Sequence, residues 1–243
     1  MVIIGAGGFA KELIEIFVQK NDTGNIVFYD DVYSNKNEML FNRFSILRDE
    51  AQVKEHFLKN GNKFTIGIGN PALRHKLYTK FYGLGGIFTS VISPKACIGS
   101  LEVTMGIGCN ILDGATFSNC TTTGMGCIVY YNAMITHDCI LGDFVQISTG
   151  VSVLGEVTIS DFVLIGANAV ILPRLHIGKN AVIAAGAVIT KDVPDYALMI
   201  GNPARRAGWL SAYGSKLLFI DGNATCEKSG EQYSLNNDIV KKV

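Results

Sequence analysis

From residue 105 onward an apolar side chain returns at every sixth position: Met105, Ile111, Phe117, then, past Thr123, an unbroken run of Val129, Ile135, Leu141, Ile147, Val153, Ile159, Ile165, Ile171, Ile177, Ile183 and Ile189. A second comb lies four places after each of these, starts earlier at Cys97 and reaches Val193; it holds only Cys, Val, Ala, Thr and Leu. A period of six with two buried positions matches neither a helix at 3.6 residues per turn nor a hairpin sheet, whose turns would break the count. It predicts a β-helix. If three hexapeptides close one triangular coil, residues about 91 to 193 supply roughly five to six coils, each about 4.8 Å above the last. Turn-forming pairs two and three places after the first comb mark the corners: Asp113-Gly114, Tyr131-Asn132, Thr149-Gly150, Ala167-Asn168, Lys179-Asn180 and Ala185-Gly186.

A coil of eighteen residues places His137, Gly155, Pro173 and Lys191 in one column along an edge. Gly155 then stands directly above His137, where the missing side chain lets a ligand approach the backbone and take a hydrogen bond from an N–H. Asp138 adjoins the ring and can orient it or stabilise its charge, so His137 is read as a general base rather than as a surface histidine capping a turn. The column Tyr131, Thr149, Ala167, Ala185 becomes small towards its end and suits a groove for a thin, flexible ligand such as a pantetheine arm. Met125, Asp143, Asp161 and Lys179 read as solvated corner residues, and His176, His56 and His75 as surface histidines.

Before the repeat, "MVIIGAGGFAKELIEIFVQKN" reads as a buried strand, a glycine turn and a helix with Leu13, Ile16 and Phe17 on one face. Gly5, Gly7 and Ala10 match G-x-G-x-x-A, and "NIVFYDD" offers a second strand ending in Asp30 and Asp31, where a ribose-binding acid is expected. Helix and strand pairs follow in "ILRDEAQVKEHFLKN" with "KFTIGIGN" and in "PALRHKLYTKFYGL" with "GGIFTSVIS", which predicts a short parallel sheet. The repeat begins too soon for a second mononucleotide half. The Gly7-Gly8 turn is therefore either a tight turn alone or the seat of one nucleotide diphosphate at a helix N-terminus, and the second reading is preferred. Beyond "IGNPARRAGWLSAYG", the runs "KLLFI", "ATC" and "EQYSLNNDIVKKV", separated by Asp221-Gly222, Ser229-Gly230 and Asn236-Asn237, predict an antiparallel meander that covers the open end of the solenoid. The expected division is 1–90, 91–207 and 208–243.

Composition narrows the function. Lys plus Arg equal Asp plus Glu at 21 each, so no global field recruits nucleic acid or a membrane surface. The apolar runs are broken by Gly and polar residues before they could span a bilayer, and the opening is too short for a signal-peptide core, so a cytoplasmic location is expected. The six cysteines include no C-x-x-C pair. Four lie on the second comb as core fillers, Cys109 and Cys127 as stacked reduced thiols. Cys226 with Gly230 is half a zinc knuckle without partner ligands, and no metal is expected.

Together "VIIGAGGFAKE", "THDCILGDFVQISTG", "AGAVITKDVP" and "GNPAR" resemble the sialic acid O-acetyltransferase and nucleotide-amino-sugar N-acetyltransferase family, over residues 1 to about 207. The resemblance implies a Rossmann-like α/β nucleotide-sugar domain joined to a left-handed β-helix. It also implies homotrimers with acetyl-CoA lying between coils of two subunits. On this likeness His137 is the base, Asp138 its carboxylate, and Gly155 the glycine that binds the thioester carbonyl. Ala167 and Ala185 contact the thiol arm, while Gly7, Gly8, Asp30 and Asp31 bind the nucleotide. Many members carry a second histidine where this chain has Gln146, and the tail from Trp209 is longer than usual, as in some 3-amino-sugar N-acetyltransferases.

The expected reaction is acetyl transfer from acetyl-CoA to the amine of a nucleotide-diphosphate amino sugar; O-acetylation of a sugar hydroxyl is the alternative. A γ-carbonic anhydrase would need three histidines at one zinc, and the repeat has only His137 and His176. An ice-binding solenoid would need outward ranks of threonine.

Overall fold

The computed structural model describes residues 1–32 and 39–243. The N-terminal domain comprises β1 (Val2–Ile4), α1 (Gly8–Gln19), β2 (Val27–Tyr29), β3 (Met39–Leu40), β4 (Phe44–Leu47), α2 (Glu50–Asn60), β5 (Lys63–Ile66), α3 (Pro71–Gly83) and β6 (Ile87–Phe88). Its sheet runs β3-β4-β2-β1-β5-β6. Every pairing is parallel except β3 with β4, which close an antiparallel hairpin at one margin. The sequence predicts an all-parallel sheet without that hairpin, because Ile46 and Leu47, the end of β4, read as the start of the second helix. The helix begins only at Glu50, where the Asp49 carboxylate accepts the Gln52 N–H at 2.8 Å and caps the first turn. Asn70 caps α3 in the same way, accepting from Leu73 N–H at 2.9 Å with Pro71 in the first turn.

A left-handed parallel β-helix follows. Its first sheet runs from Val91–Ile92 to Ala197–Ile200, the second from Cys97–Ile98 to Val188–Ile189, and the third from Thr104–Met105 to His176–Ile177. Asn110, Ile128, Gln146, Leu164 and Val182 stand in register up the first sheet, eighteen residues apart at each step. The apolar combs point inward and are buried from Cys109 to Val193 with Leu175 only half-buried, Thr123 included at 4% exposure. Cys97, read as a core filler, is exposed, because the first coil is one residue longer than the rest: Cys97 stands in register with the outward Thr116 rather than with Ala115, and Ala96 packs against the core in its place.

The corners explain why turn residues recur. One residue per corner takes a positive φ: Gly114, Asn132, Gly150, Asn168 and Gly186 between the first and second sheets, and Glu102, Cys120, Asp138, Glu156 and Arg174 between the second and third. Glycine, asparagine and aspartate reach that region at least cost. On the third–first edge Phe144 and Phe162 do so and stack with ring centroids 5.6 Å apart, and the His75 ring of α3 packs edge-on against both.

The N-terminal domain straddles the first sheet. α3 lies along the third–first edge, while α1 lies along the first–second edge, with Phe9 5.1 Å from Tyr130 and Gln19 Nε2 donating to Asp113 Oδ2 at 2.9 Å. Between them Asn110, 1% exposed, accepts from Thr65 Oγ1 and donates to Ile66 O, both at 2.9 Å. At the far end the first sheet continues into antiparallel strands Arg205–Leu210 and Lys216–Leu217, and the strands Asn223–Thr225, Gln232–Asn236 and Ile239–Lys242 form a separate antiparallel sheet. Trp209, Leu217, Ala224, Cys226, Tyr233 and Val240 extend the solenoid core into this tail, which thereby covers the last coil.

Candidate active site

His137 and Gly155 share the second–third edge on adjacent coils. A Cβ built on Gly155 would lie 2.5 Å from His137 Cε1 and 2.6 Å from Nε2, so the imidazole rests in the space that a side chain at 155 would fill. The Glu156 N–H donates to His137 O at 3.0 Å and the Arg174 N–H to Gly155 O at 3.0 Å, whereas the Gly155 N–H has no acceptor among the described residues. Asp138 occupies the left-handed corner position, φ +58°, and its Oδ2 lies 2.7 Å from His137 Nδ1. A carboxylate can only accept there, so Nδ1 carries the hydrogen, and in the neutral ring the lone pair is on Nε2. The pair is more than half exposed, at 59% and 54% for the two side chains, and so is open to a reactant.

Ala167 and Ala185 stand elsewhere. They belong to the first–second edge, where the Gly186 N–H donates to Ala167 O at 2.8 Å, and their own N–H groups are unpaired among the described residues. One chain therefore separates the proposed thiol-arm contacts from the proposed base by the full width of the second sheet.

α1 is oriented along that same first–second edge. Its last turn reaches Asp113 and its first turn Tyr130 one coil higher, so its N-terminus points up the column towards Thr149 and Ala167. The glycines of the turn differ in role. Gly5 has φ +101° and a Cβ there would meet Ile68 Cγ1 at 2.9 Å, whereas a Cβ at Gly7 or Gly8 would meet nothing within 4 Å. Packing thus requires the first glycine and leaves the other two facing open space at a helix end with no side-chain cap. Asp30 is engaged in shaping the turn, since its Oδ2 accepts the Ala6 N–H at 2.8 Å and its Oδ1 the Val32 N–H at 3.0 Å. Asp31 is the more available carboxylate, half exposed and held by the Tyr29 hydroxyl at 2.9 Å, with Lys80 at 3.8 Å.

Three features were not assigned roles from the sequence. The interior cation Arg74 gives no signal there, because a single arginine in a helix is ordinarily solvated. A cavity of about 350 Å³ at the top of the base's own edge is lined by Lys191, Arg205 and Arg206, which only the folded tail assembles. A larger one, about 490 Å³, lies on the third–first edge among His75, Phe162, Lys179 and Tyr213 and contains neither His137 nor Gly155. Among the described residues no group of three His, Cys, Asp or Glu side chains is placed to hold a metal ion, and no helix is long and apolar enough to cross a membrane.

Comparison with known families fits this architecture. Residues 1–81 match the PglD N-terminal domain, and residues 156–191 match the bacterial transferase hexapeptide, six repeats. The chain thus joins a segment similar to the PglD N-terminal domain to a segment similar to the hexapeptide repeats of bacterial transferases. Among curated relatives, the GDP-perosamine N-acetyltransferase of Escherichia coli O157:H7 is 34% identical over 155 residues, 61% of this chain and 66% of that protein. The dTDP-3-amino-3,6-dideoxy-α-D-galactopyranose 3-N-acetyltransferase of Aneurinibacillus thermoaerophilus is 46% identical over 55 residues, 23% of this chain and 28% of that protein. The matches thus span less than two thirds of either relative. Among solved structures, PerB from Caulobacter crescentus in complex with CoA and GDP-perosamine superimposes with a TM-score of 0.76 at 27% identity, covering 85% of this chain and 96% of that one.

Proposed function

We propose that this transferase moves the acetyl group of acetyl-CoA to the amino group of a nucleotide-linked amino sugar, with His137 as general base. The observation that carries the reading is the unpaired Gly155 N–H one coil above an imidazole whose Nδ1 is held by Asp138 at 2.7 Å. The amine attacks the thioester carbonyl, and a C–N bond forms as the C–S bond breaks. His137 Nε2 takes the amine's proton and returns it to the departing thiolate; Asp138 stabilises the transient imidazolium, and the Gly155 N–H faces the oxyanion.

The fit to acetyl-CoA rests on three features of the edge. Gly155 leaves room for a thioester beside the ring. Lys191 stands three coils above His137, about 14 Å at ~4.8 Å per coil, and with Arg205 and Arg206 offers cations where an extended pantetheine arm would bring its phosphates. The unpaired N–H groups of Ala167 and Ala185 are donors for the arm's amide carbonyls. Because those alanines border the second sheet on its other side, two copies packed on that sheet would bring the base edge of one against the alanine edge of the next. A ring of three such contacts closes as a homotrimer, which is the assembly this reading adopts. The nucleotide diphosphate is assigned to the first turn of α1 at Gly7 and Gly8, with Asp31 available to the ribose.

The test is incubation with acetyl-CoA and GDP-perosamine, a dTDP-3-amino sugar or sialic acid, read by mass spectrometry. Gain of one acetyl group on an amine supports the reading. Acetylation of hydroxyls alone would replace it with O-acetylation, and no transfer to any acceptor would overturn it.

A further inference from the structure

Arg74, in the second turn of α3, is 1% exposed, yet no carboxylate among the described residues pairs with it. Its guanidinium donates to Gly126 O at 3.2 Å, Phe144 O at 2.6 Å, Val145 O at 3.3 Å, Gln146 Oε1 at 3.4 Å and Gly69 O. All five acceptors are neutral. Burial draws the guanidinium down to about 10, which still leaves it charged at neutral pH. Carbonyl dipoles satisfy its donors without cancelling its charge, and an uncompensated interior cation is costly unless an anion approaches it.

The surroundings show where that anion would sit. Gly69 belongs to the loop after β5, where the preceding Gly67 packs against Ala10 in the first turn of α1 and Ile68 against Gly5 of the loop after β1. β1 pairs with β2 on one side and β5 on the other, so these two loops flank the point at which the sheet reverses its order, where open α/β sheets bind ligands. Gln146 projects from the first sheet of the solenoid beside Gly69, whose built Cβ would lie 3.5 Å from Gln146 Oε1. With Oε1 turned to Arg74, the Nε2 amide is left as a donor without an acceptor among the described residues. Arg74, this amide and the first turn of α1 therefore place positive potential around one crevice.

We propose that the diphosphate of the nucleotide sugar is the missing counter-charge of Arg74, received by the Gln146 amide and the α1 N-terminus, with Arg74 acting through Gln146 as a positioning residue. The proposal rests on the nucleotide-sugar reading above and adds the group that recognises the diphosphate. A glutamate at 146 keeps the shape of the side chain and gives Arg74 an internal counter-ion, so it separates the electrostatic role from a purely structural one.

The experiment titrates GDP, guanosine, dTDP and thymidine into the full-length protein, its Gln146→Glu variant and its Arg74→Lys variant, with thermal melts alongside. Gln146→Glu is expected to melt no lower than the wild type, to bind the better nucleoside diphosphate at least about tenfold more weakly, and to change nucleoside affinity less than about twofold. Arg74→Lys, which keeps the charge, is expected to retain the preference for diphosphate over nucleoside. Equal losses for diphosphate and nucleoside, or wild-type diphosphate affinity in Gln146→Glu, would overturn this inference and leave the transferase reading standing. Absence of any nucleotide binding by the wild type would instead remove the nucleotide-sugar reading and this inference with it.

Discussion

Replacing Gly155 by alanine tests the base and oxyanion arrangement with a single methyl group. The added Cβ would lie 2.5 Å from His137 Cε1, and ordinary contact begins near 3.4 Å, so the ring must retreat by the difference, 3.4 − 2.5 = 0.9 Å. That retreat competes with the 2.7 Å contact between Nδ1 and Asp138 Oδ2, the contact that fixes the ring's orientation. Gly155 has no positive φ and the clash is with the far end of an exposed side chain, so the backbone and the core should be undisturbed. A misplacement of about 1 Å costs on the order of 10²-fold in rate. Steady-state kinetics with saturating acetyl-CoA and amino-sugar acceptor should show kcat falling by about that factor, while the melting temperature stays within a degree or so of the wild type. A kcat within about threefold of the wild type would refute the claim that the ring's seat on Gly155 matters to catalysis.

Further outcomes follow from the same geometry. His137→Ala should lose about 10²- to 10⁴-fold in kcat and retain acetyl-CoA affinity by calorimetry, and near-full turnover would remove the base. The double change Lys191→Ala with Arg205→Ala should raise KM for acetyl-CoA about tenfold at constant kcat, and should leave KM for a short pantetheine thioester lacking the nucleotide unchanged. Asn110→Ala orphans the Thr65 hydroxyl and the Ile66 carbonyl between the two domains, so urea unfolding should show a loss of about 1–3 kcal/mol for each partner left without a hydrogen bond.

The solenoid was legible because its rule is arithmetic. One burial pattern repeated every six residues fixes the strand positions, and eighteen residues per coil fixes which corners stack, so the juxtaposition of His137 with Gly155 follows from counting alone. The same count sets Ala167 and Ala185 on a different edge, a consequence that becomes chemical only when a second copy is considered. Arithmetic fails where the coil changes length: Cys97 keeps the count of six along the sequence, but it pairs with Thr116 rather than Ala115 and so falls in an outward slot. In the N-terminal domain the signals were local and weaker, and the strand Phe44–Leu47 was hidden because its apolar residues run directly into a helical pattern, with only Asp49 marking the boundary. The distinction between Gly5, which the turn requires, and Gly7 and Gly8, which face open space, depends on Ile68, more than sixty residues away. Arg74 was illegible for a related reason: its burial depends on Phe144 to Gln146, which approach it only after the solenoid has packed beneath α3.

The central claim, that transfer occurs at a seam between the His137–Gly155 edge of one chain and the Ala167–Ala185 edge of another, can be tested by mixing two defective proteins. His137→Ala lacks the base but has an intact alanine edge; Ala167→Trp blocks that edge but keeps the base. Each alone should be nearly inactive. Unfolded together in equal amounts and reassembled, they should recover roughly a quarter of wild-type activity, the fraction of seams that receive both intact edges by random association. A mixture that forms mixed oligomers by native mass spectrometry yet stays as inactive as its components would contradict the account, because it would place the whole site within one chain.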